Sequence, residues 1–593
     1  MALRRLGVFS IFLAPSRLRA FARSTELGLV LAAGVIGLVS GITVTAMSMI
    51  AQGLHQLIFG LDVGERLSAI VTENTTVLFV SPIIGGAIMG LVFLVLTRYR
   101  KRPMVDPIEA NALHGGRLSL NDSLIVAGQN LISNGFGASV GLEAGYTQLA
   151  SGLASKIGLS LKLRRSDLRI LVGCGAAGAI AAAFNAPLTG SFYAFELIIG
   201  SYTILSLAPV IVSALVSNVV ARALTGDNFV IDIGHFGAVV PADYVPALLL
   251  GIFCAFAGIL LMKGVAFVEE LARRSFIPPA LRPMLGGAVV SLLALITPQV
   301  LSGGHGALHL NLDTTTSMGA LLGLLLLKSL ASAISIGSGF RGGLFFGSLF
   351  LGALLGKLFA YSAPYIFAHA TLTPVIYAVV GMSALAVSVI GGPMTMTFLA
   401  LEISGDFPIT VLVLAAVTTA SLTVRHAFGY SFATWRFHLR GESIRSAHDV
   451  GWIRNLTVNR LMRSDVRTAP IEQSIGAFCR EFPLGSTQRV IIVDDANKYA
   501  GMILVPEAHA GVTEGADDDQ PIAGLLKYRN EYLQPQMNAK QAAAIFDKTE
   551  SEALAVVNDL VERRVIGLVT ESHLLRRYSE ELDRQRRDVS GEF

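Results

Sequence analysis

Charge is scarce in this sequence. Of its 593 residues only 15% are Asp, Glu, Lys or Arg, 53% are hydrophobic, and the mean hydropathy is +0.61. That balance excludes an ordinary soluble chain and fits a multi-span membrane protein carrying a more polar piece. Cysteine is nearly absent too. Cys174, Cys254 and Cys479 have neither the spacing of a zinc site nor the number for a disulfide framework. There is no His-Glu-x-x-His, no phosphate-binding Gly-x-x-x-x-Gly-Lys loop, and no Gly-x-Ser-x-Gly with plausible partners. Nothing points to an enzyme, a metal site or a nucleic-acid partner. Isolated histidines such as His305 are expected to be loop or core residues.

What is present is a run of apolar segments between about residues 26 and 428. Several are shorter than the roughly 20 helical residues that span ~30 Å of hydrocarbon, and many are broken by glycine. Interrupted membrane helices mark a transporter whose helix ends meet near the midplane, since freed backbone groups are tolerated only against protein or a water-filled cavity. Charge gathers at the ends, with Arg4, Arg5, Arg17, Arg19 and Arg23 in front and a polar tail behind 436-RFHLRGESIR-445. With the basic loops 98-RYRKR-102 and 162-KLRR-165, this predicts that both termini are cytoplasmic and that the number of crossings is even. No cleavable signal is evident, so the first apolar segment reads as a retained helix. The expected division is a cytoplasmic N-terminus at 1–25, a membrane domain at 26–445 with halves at about 26–225 and 244–435, and a tail at 446–593.

The membrane part repeats itself. In 135-GFGASVGLEAG-145 and 337-GSGFRGGLFFG-347, Gly135, Gly141, Leu142 and Gly145 recur 202 positions later as Gly337, Gly343, Leu344 and Gly347. In 187-PLTGSFYAFE-196 and 393-PMTMTFLALE-402, Pro, Thr, Phe, Ala and Glu recur 206 positions later. Repeated transporter halves usually have inverted topology and meet at a midplane site. Each Gly-rich block precedes an apolar segment and so predicts a helix N-terminus, where free N–H groups and about half a positive charge suit an anion. Glycine lets that backbone approach the ion closely.

Glu143 lies in the first Gly-rich block, and its repeat partner is Phe345. An acid inside a membrane is costly and marks function. Ionised, it can occupy the permeant anion's place; protonated, it loses that attraction and can swing away. One side chain then serves as gate and proton carrier. The plainer alternative is a glutamate that only caps its helix. Lys328 is expected to be structural.

The tail carries its own duplication. The stretches 493-VDDANKYAGMILVPEAH-509 and 557-VNDLVERRVIGLVTESH-573 each read as strand, polar turn, strand with one glycine, then Glu-x-His opening a helix. This looks like a tandem pair of CBS modules at about 456–512 and 520–580. It serves either dimerisation and docking or nucleotide sensing, and an adenine nucleotide is the one cofactor reading it leaves open.

At these residues the chain resembles the CLC chloride channels and proton-coupled chloride transporters, from the first helix through the CBS pair. The segment 171-LVGCGAAGAIAAAFNAPLTGSFYAFE-196 is similar to the family's GAAAG…AAAFNAP…E region, and 337-GSGFRGGLFFGSLFLGALLG-356 to its GSG…GGxFxPSLFxGA region. The resemblance implies an all-α membrane domain of two inverted repeats of broken helices with a cytoplasmic α/β tail. It also implies a homodimer with an anion pathway in each subunit. Glu143 falls on the gating glutamate. The anion-binding positions fall on Met104, Gly141, Leu142, Gly343, Leu344, Phe345 and a central tyrosine, which is Tyr430, or Ala433 if 439-LRG-441 is aligned without a gap. Departures are visible. GREGP reads 141-GLEAG-145, GxFxP reads 343-GLFFG-347, and GSGIP reads 103-PMVDP-107, so Met104 replaces the anion-binding serine. Methionine there is shared with the fluoride-exporting branch. The inner proton glutamate of coupled members is Leu197 here, which favours passive conduction. Glu196 and its repeat equivalent Glu402 are expected to cap or pair structurally.

The expected function is therefore gated transport of chloride or a related small anion across a prokaryotic plasma (inner) membrane, with protons as a further possible partner. Its alternative is a proton-coupled chloride or fluoride antiporter. More remote is a CBS-linked cation transporter, which would need several converging carboxylates.

Overall fold

The computed structural model describes residues 16–70, 74–100, 104–226, 239–314, 316–366, 373–439, 456–513, 518–559 and 561–590. The chain separates into two units, residues 1–449 and 450–593.

The first unit is helical. A short basic helix, Ser16–Ser24, leads into α1 (Glu26–Phe59), α2 (Thr75–Tyr99), α3 (Pro107–His114), α4 (Leu120–Gly135), α5 (Glu143–Ser160), α6 (Arg165–Phe184), α7 (Pro187–Tyr193) and α8 (Ile204–Thr225). The second half gives α9 (Tyr244–Arg274), α10 (Arg282–Ile296), α11 (His305–Asp313), α12 (Met318–Ser338), α13 (Phe345–Ile366), α14 (Pro374–Ile390), α15 (Pro393–Ser404) and α16 (Phe407–Ala427), followed by α17 (Phe432–Leu439). Each helix of the first half thus has a counterpart eight later. Among the described residues, eight helices are long and apolar enough to cross a membrane. Others are short, such as α10 with 15 residues and α14 with 17.

The repeats pack alike. α5 lies on α6 as α13 lies on α14, and α1 lies on α8 as α9 lies on α16. Small residues bring these backbones together, as is usual in membranes. A methyl at Gly175 of α6 would stand 2.6 Å from the Ala150 carbonyl of α5, and one at Gly381 of α14 would stand 2.9 Å from Gly356 of α13.

The halves are joined by reciprocal bonds, as a two-fold relation requires. Glu402 accepts the N–H groups of Leu188 and Thr189 at 2.7 and 2.8 Å and the Thr189 hydroxyl at 2.6 Å. Glu196 accepts the equivalent groups of Met394 and Thr395 at 3.0, 2.9 and 2.6 Å. Each acid therefore caps the opposite half's Pro-initiated helix, α7 or α15. An acceptor charge at a helix N-terminus is favourable, and this is the structural role expected of both.

In the second unit, β1 (Thr468–Pro470) pairs in parallel with β2 (Arg489–Val493), which pairs antiparallel with β3 (Tyr499–Leu504); β4 (Ala553–Val557) pairs antiparallel with β5 (Val565–Thr570). The two hairpins repeat 64 positions apart, down to an irregularity at Ile492/Val493 and again at Val556/Val557. Each is followed by a helix, Val505–Thr513 or Glu571–Ser590. Each hairpin packs in its own core, around Phe478 in one and Phe546 in the other. Bonds cross between the copies, including Tyr499 N–H to the Arg563 carbonyl at 2.9 Å.

Candidate functional site

The two Gly-rich blocks meet. Gly141 N–H donates to the Gly343 carbonyl at 2.9 Å and Gly343 N–H returns the bond to Gly141 at 3.2 Å. Residues 202 apart thus face each other, and the helices they open begin at equivalent positions, Glu143 for α5 and Phe345 for α13.

Polar residues of α4 and α12 hold this crossing. Asn130 accepts Gly145 N–H at 2.8 Å and donates to the carbonyls of Gly141 and Arg341 at 3.0 and 3.1 Å. Ser133 accepts Arg341 N–H, and its repeat equivalent Ser335 accepts Ser139 N–H, both at 3.0 Å. Asn134 ties the Val140 carbonyl to the Ser302 hydroxyl. These loops are bonded into the protein and can lie at membrane depth.

Glu143 is 4% exposed. Its carboxylate lies beside the bridge, against Gly141 and 3.4 Å from where a methyl on Gly343 would stand. The N–H groups of Glu143 itself and of Phe346 lie toward it, while its Oε2 has no hydrogen-bond partner. The N–H groups of Leu142, Ala144, Leu344 and Phe345 also find no acceptor among the described residues. Two helix N-termini with unsatisfied donors therefore flank one unsatisfied carboxylate. Helix N-termini with free N–H groups are the arrangement an anion favours.

The expected site residues divide accordingly. Leu142, Leu344 and Phe345 lie with Glu143 at the joined openings of α5 and α13. Gly141 and Gly343 come there too, but their N–H groups are engaged with each other. Their contribution is room for the carboxylate rather than donation. Met104 lies in the turn before α3, and the Val105 carbonyl beside it accepts Gln148 of α5 at 3.0 Å. Asp106 caps α3 through Glu109 N–H at 2.9 Å. Tyr430 lies in an aromatic cluster. Its ring stacks on His438 at 4.7 Å and packs against Trp435 and Phe428, where α16 gives way to α17. Gly429, with φ of 85°, turns the chain there and directs the ring into this aromatic cluster. Ala433 sits within α17.

Two tyrosines lie near the site: Tyr146, in the first turn of α5, and Tyr193. Tyr193 ends α7, and its ring centroid is 6.1 Å from that of Phe345. Its hydroxyl reaches Thr147, one turn after Glu143, and Glu143 and Asp106 are within electrostatic range. It thus faces the opening turns of α3, α5 and α13. After Tyr193 the helix widens to a π-helix, Ala194–Ile199, a local departure frequent at functional sites. The repeat carries the signal: the equivalents of Glu143, Thr147 and Tyr193 are Phe345, Leu349 and Leu399, all buried and apolar. The symmetry is broken by polar groups on one side only.

A family profile described as "Voltage gated chloride channel" matches residues 85–425. A "Putative chloride channel protein ClcB-like" of Ralstonia nicotianae is 31% identical over 402 residues, covering 67% of this chain and 93% of that protein. Among solved structures, a slow cyanobacterial Cl-/H+ antiporter aligns with TM-score 0.61 and 21% identity over 70% of this chain and 97% of its own. A eukaryotic CLC transporter aligns with TM-score 0.58 and 17% identity over 94% of this chain and 99% of its own. By its membrane domain this chain belongs to the voltage-gated chloride channel family.

Proposed function

We propose that the chain carries chloride or a related small anion across the membrane between the N-termini of α5 and α13, with Glu143 as the gate. The observation that carries this reading is the buried Glu143 carboxylate, with one oxygen unpartnered, at the point where the Gly-rich openings of α5 and α13 meet. Glu196 and Glu402 are engaged in capping α15 and α7, and among the described residues no group of three or more acids, histidines or cysteines gathers as a cation site wants. The chain transports rather than catalyses. Chloride efflux from liposomes tests the gate: Glu143→Gln removes the competing charge and is expected to raise the rate, whereas an unchanged rate would overturn the reading.

Proton-coupled exchange is the second reading. It is favoured by the free Oε2, to which a proton can add without breaking a bond. Leu197, where coupled relatives carry an acid, weighs toward passive conduction, and Met104 keeps fluoride open. The remaining assignments are a homodimer, cytoplasmic termini in a plasma membrane, and a CBS pair in the tail. The CBS reading is supported by two strand–strand–helix units 64 positions apart with linked edges.

A further inference from the structure

Beyond Glu143, on the side where α1 ends, the cationic side chains of Arg66 and Lys328 converge with the imidazole of His305, and no acid pairs with them among the described residues. His305 opens α11, and its ring stacks on Phe346 at 3.5 Å. Phe346 is a residue whose N–H faces the Glu143 carboxylate. The same ring lies 3.2 Å from where a methyl on Gly303 would stand, and that point is 3.6 Å from Gly141 Cα. Arg66 follows α1, and its Cβ lies 2.7 Å from the corresponding point on Gly306. Ser68, in the same turn, accepts Ala307 N–H at 3.1 Å, fastening this turn to α11. Lys328 of α12 is fully buried and donates to the carbonyls of Val300 and Ser302 at 3.0 and 2.7 Å. The other end of α11 is held by Lys357, which donates to the carbonyls of Asn311, Leu312 and Thr314.

His55, His309, Arg66 and Lys328 all lie within electrostatic range of His305. No carboxylate pairs with Arg66, His305 or Lys328 among the described residues. Asp62 and Glu65 of the same connection are exposed, and Glu65 accepts the Asp62 N–H instead. Lys328 is buried and Arg66 half-buried without an acid partner, an arrangement that is costly for a charge, and a small anion seated beside them offsets that cost.

We propose that Arg66 and His305, backed by Lys328, form an anion-binding station on the far side of the gate, where a chloride-like anion collects before Glu143 yields. This rests on the anion-pathway reading and adds to it a loading site. Conduction favours such serial sites, each strong enough to attract and weak enough to release. A recess lined by one sign of charge raises local counter-ion concentration and entry rate by roughly 10- to 1,000-fold.

The test uses the full-length protein in liposomes and chloride as the probe, at low and high ionic strength set with potassium gluconate. Arg66→Gln is expected to slow chloride flux at least about tenfold at low salt, with the deficit shrinking as salt screens the field. Arg66→Lys, which keeps the charge, is expected to restore most of the rate. Native rates in Arg66→Gln at both salt levels would overturn the proposal, as would a deficit independent of salt that lysine does not rescue. Glu143→Gln runs in parallel. If it alters chloride flux while Arg66→Gln does not, the station fails and the pathway stands. If no small anion moves through any variant, both fail.

Discussion

Replacing Gly141 by alanine should open the gate without touching Glu143. A Cβ at Gly141 would stand 2.8 Å from the Glu143 Cδ and 2.9 Å from its Oε1. Oε2 would be nearer still, and ordinary contact begins near 3.4 Å, so the carboxylate must withdraw by more than an ångström. The backbone imposes no obstacle, since Gly141 is not among the positive-φ residues. Withdrawal costs the carboxylate its N–H contacts at the helix N-termini, and a hydrogen bond to a charged group is worth about 1.5–3 kcal/mol. At 1.4 kcal/mol per factor of ten, the gate should favour the open arrangement by roughly 10- to 100-fold more than in the native protein. Gly343→Ala is the internal control. Its Cβ would stand 3.4 Å from Glu143 Oε2 and 3.5 Å from Ala144, so its flux should stay within about twofold of native. The assay is chloride efflux from liposomes. Equal effects from the two substitutions, or a native rate in Gly141→Ala, would refute the placement of the carboxylate against Gly141.

Glu196→Gln and Glu402→Gln should each lower the thermal stability of the purified protein by a similar amount, about 1.5–3 kcal/mol per weakened charged bond. Melting curves that shift for one and not the other would contradict the reciprocal capping. Asn130→Ala leaves the Gly145 N–H without its acceptor and removes a donor from the Gly141 and Arg341 carbonyls; at roughly 1–3 kcal/mol for a buried group left unmade, it should reduce both melting temperature and flux, which Asn130→Asp should restore only in part. Tyr193→Phe should raise the half-saturating chloride concentration about tenfold through loss of one donor to an anion, while Tyr430→Phe should stay within about twofold. The reverse order would return the central role to Tyr430.

Much of the site was legible because it is duplicated. The glycines at 141 and 343 and the acids at 196 and 402 stand at fixed separations in both halves; the glycines bond to each other, and each acid caps a helix of the opposite half. Glu143 stood out because an acid in an apolar run is rare. Tyr193 was not legible from motifs, since an aromatic at the end of an apolar helix reads as core. Only its repeat equivalent, Leu399, shows the position to be exceptional. Asn130, Ser133 and Asn134 went unread because buried polar residues that serve backbone groups have no spacing of their own; their partners are set by the tertiary crossing. His305 was expected in a loop or core, and the stack on Phe346 depends on α11 folding back to the gate from 162 residues beyond Glu143. Tyr430 was placed by alignment across a glycine turn, where one change of φ decides which way a ring points.

The most direct test of the central claim is the reversal potential of the protein in liposomes under a fixed chloride gradient, with and without an opposing pH gradient, for native protein and Glu143→Ala. If Glu143 is an anion gate in a passive pathway, both proteins pass chloride, both reverse at the chloride equilibrium potential whatever the pH gradient, and the variant conducts more. A native potential that moves with pH and is fixed in the variant would make Glu143 a proton carrier as well and the protein an exchanger. Identical currents and potentials in the two proteins would contradict the claim that Glu143 occupies the anion's place.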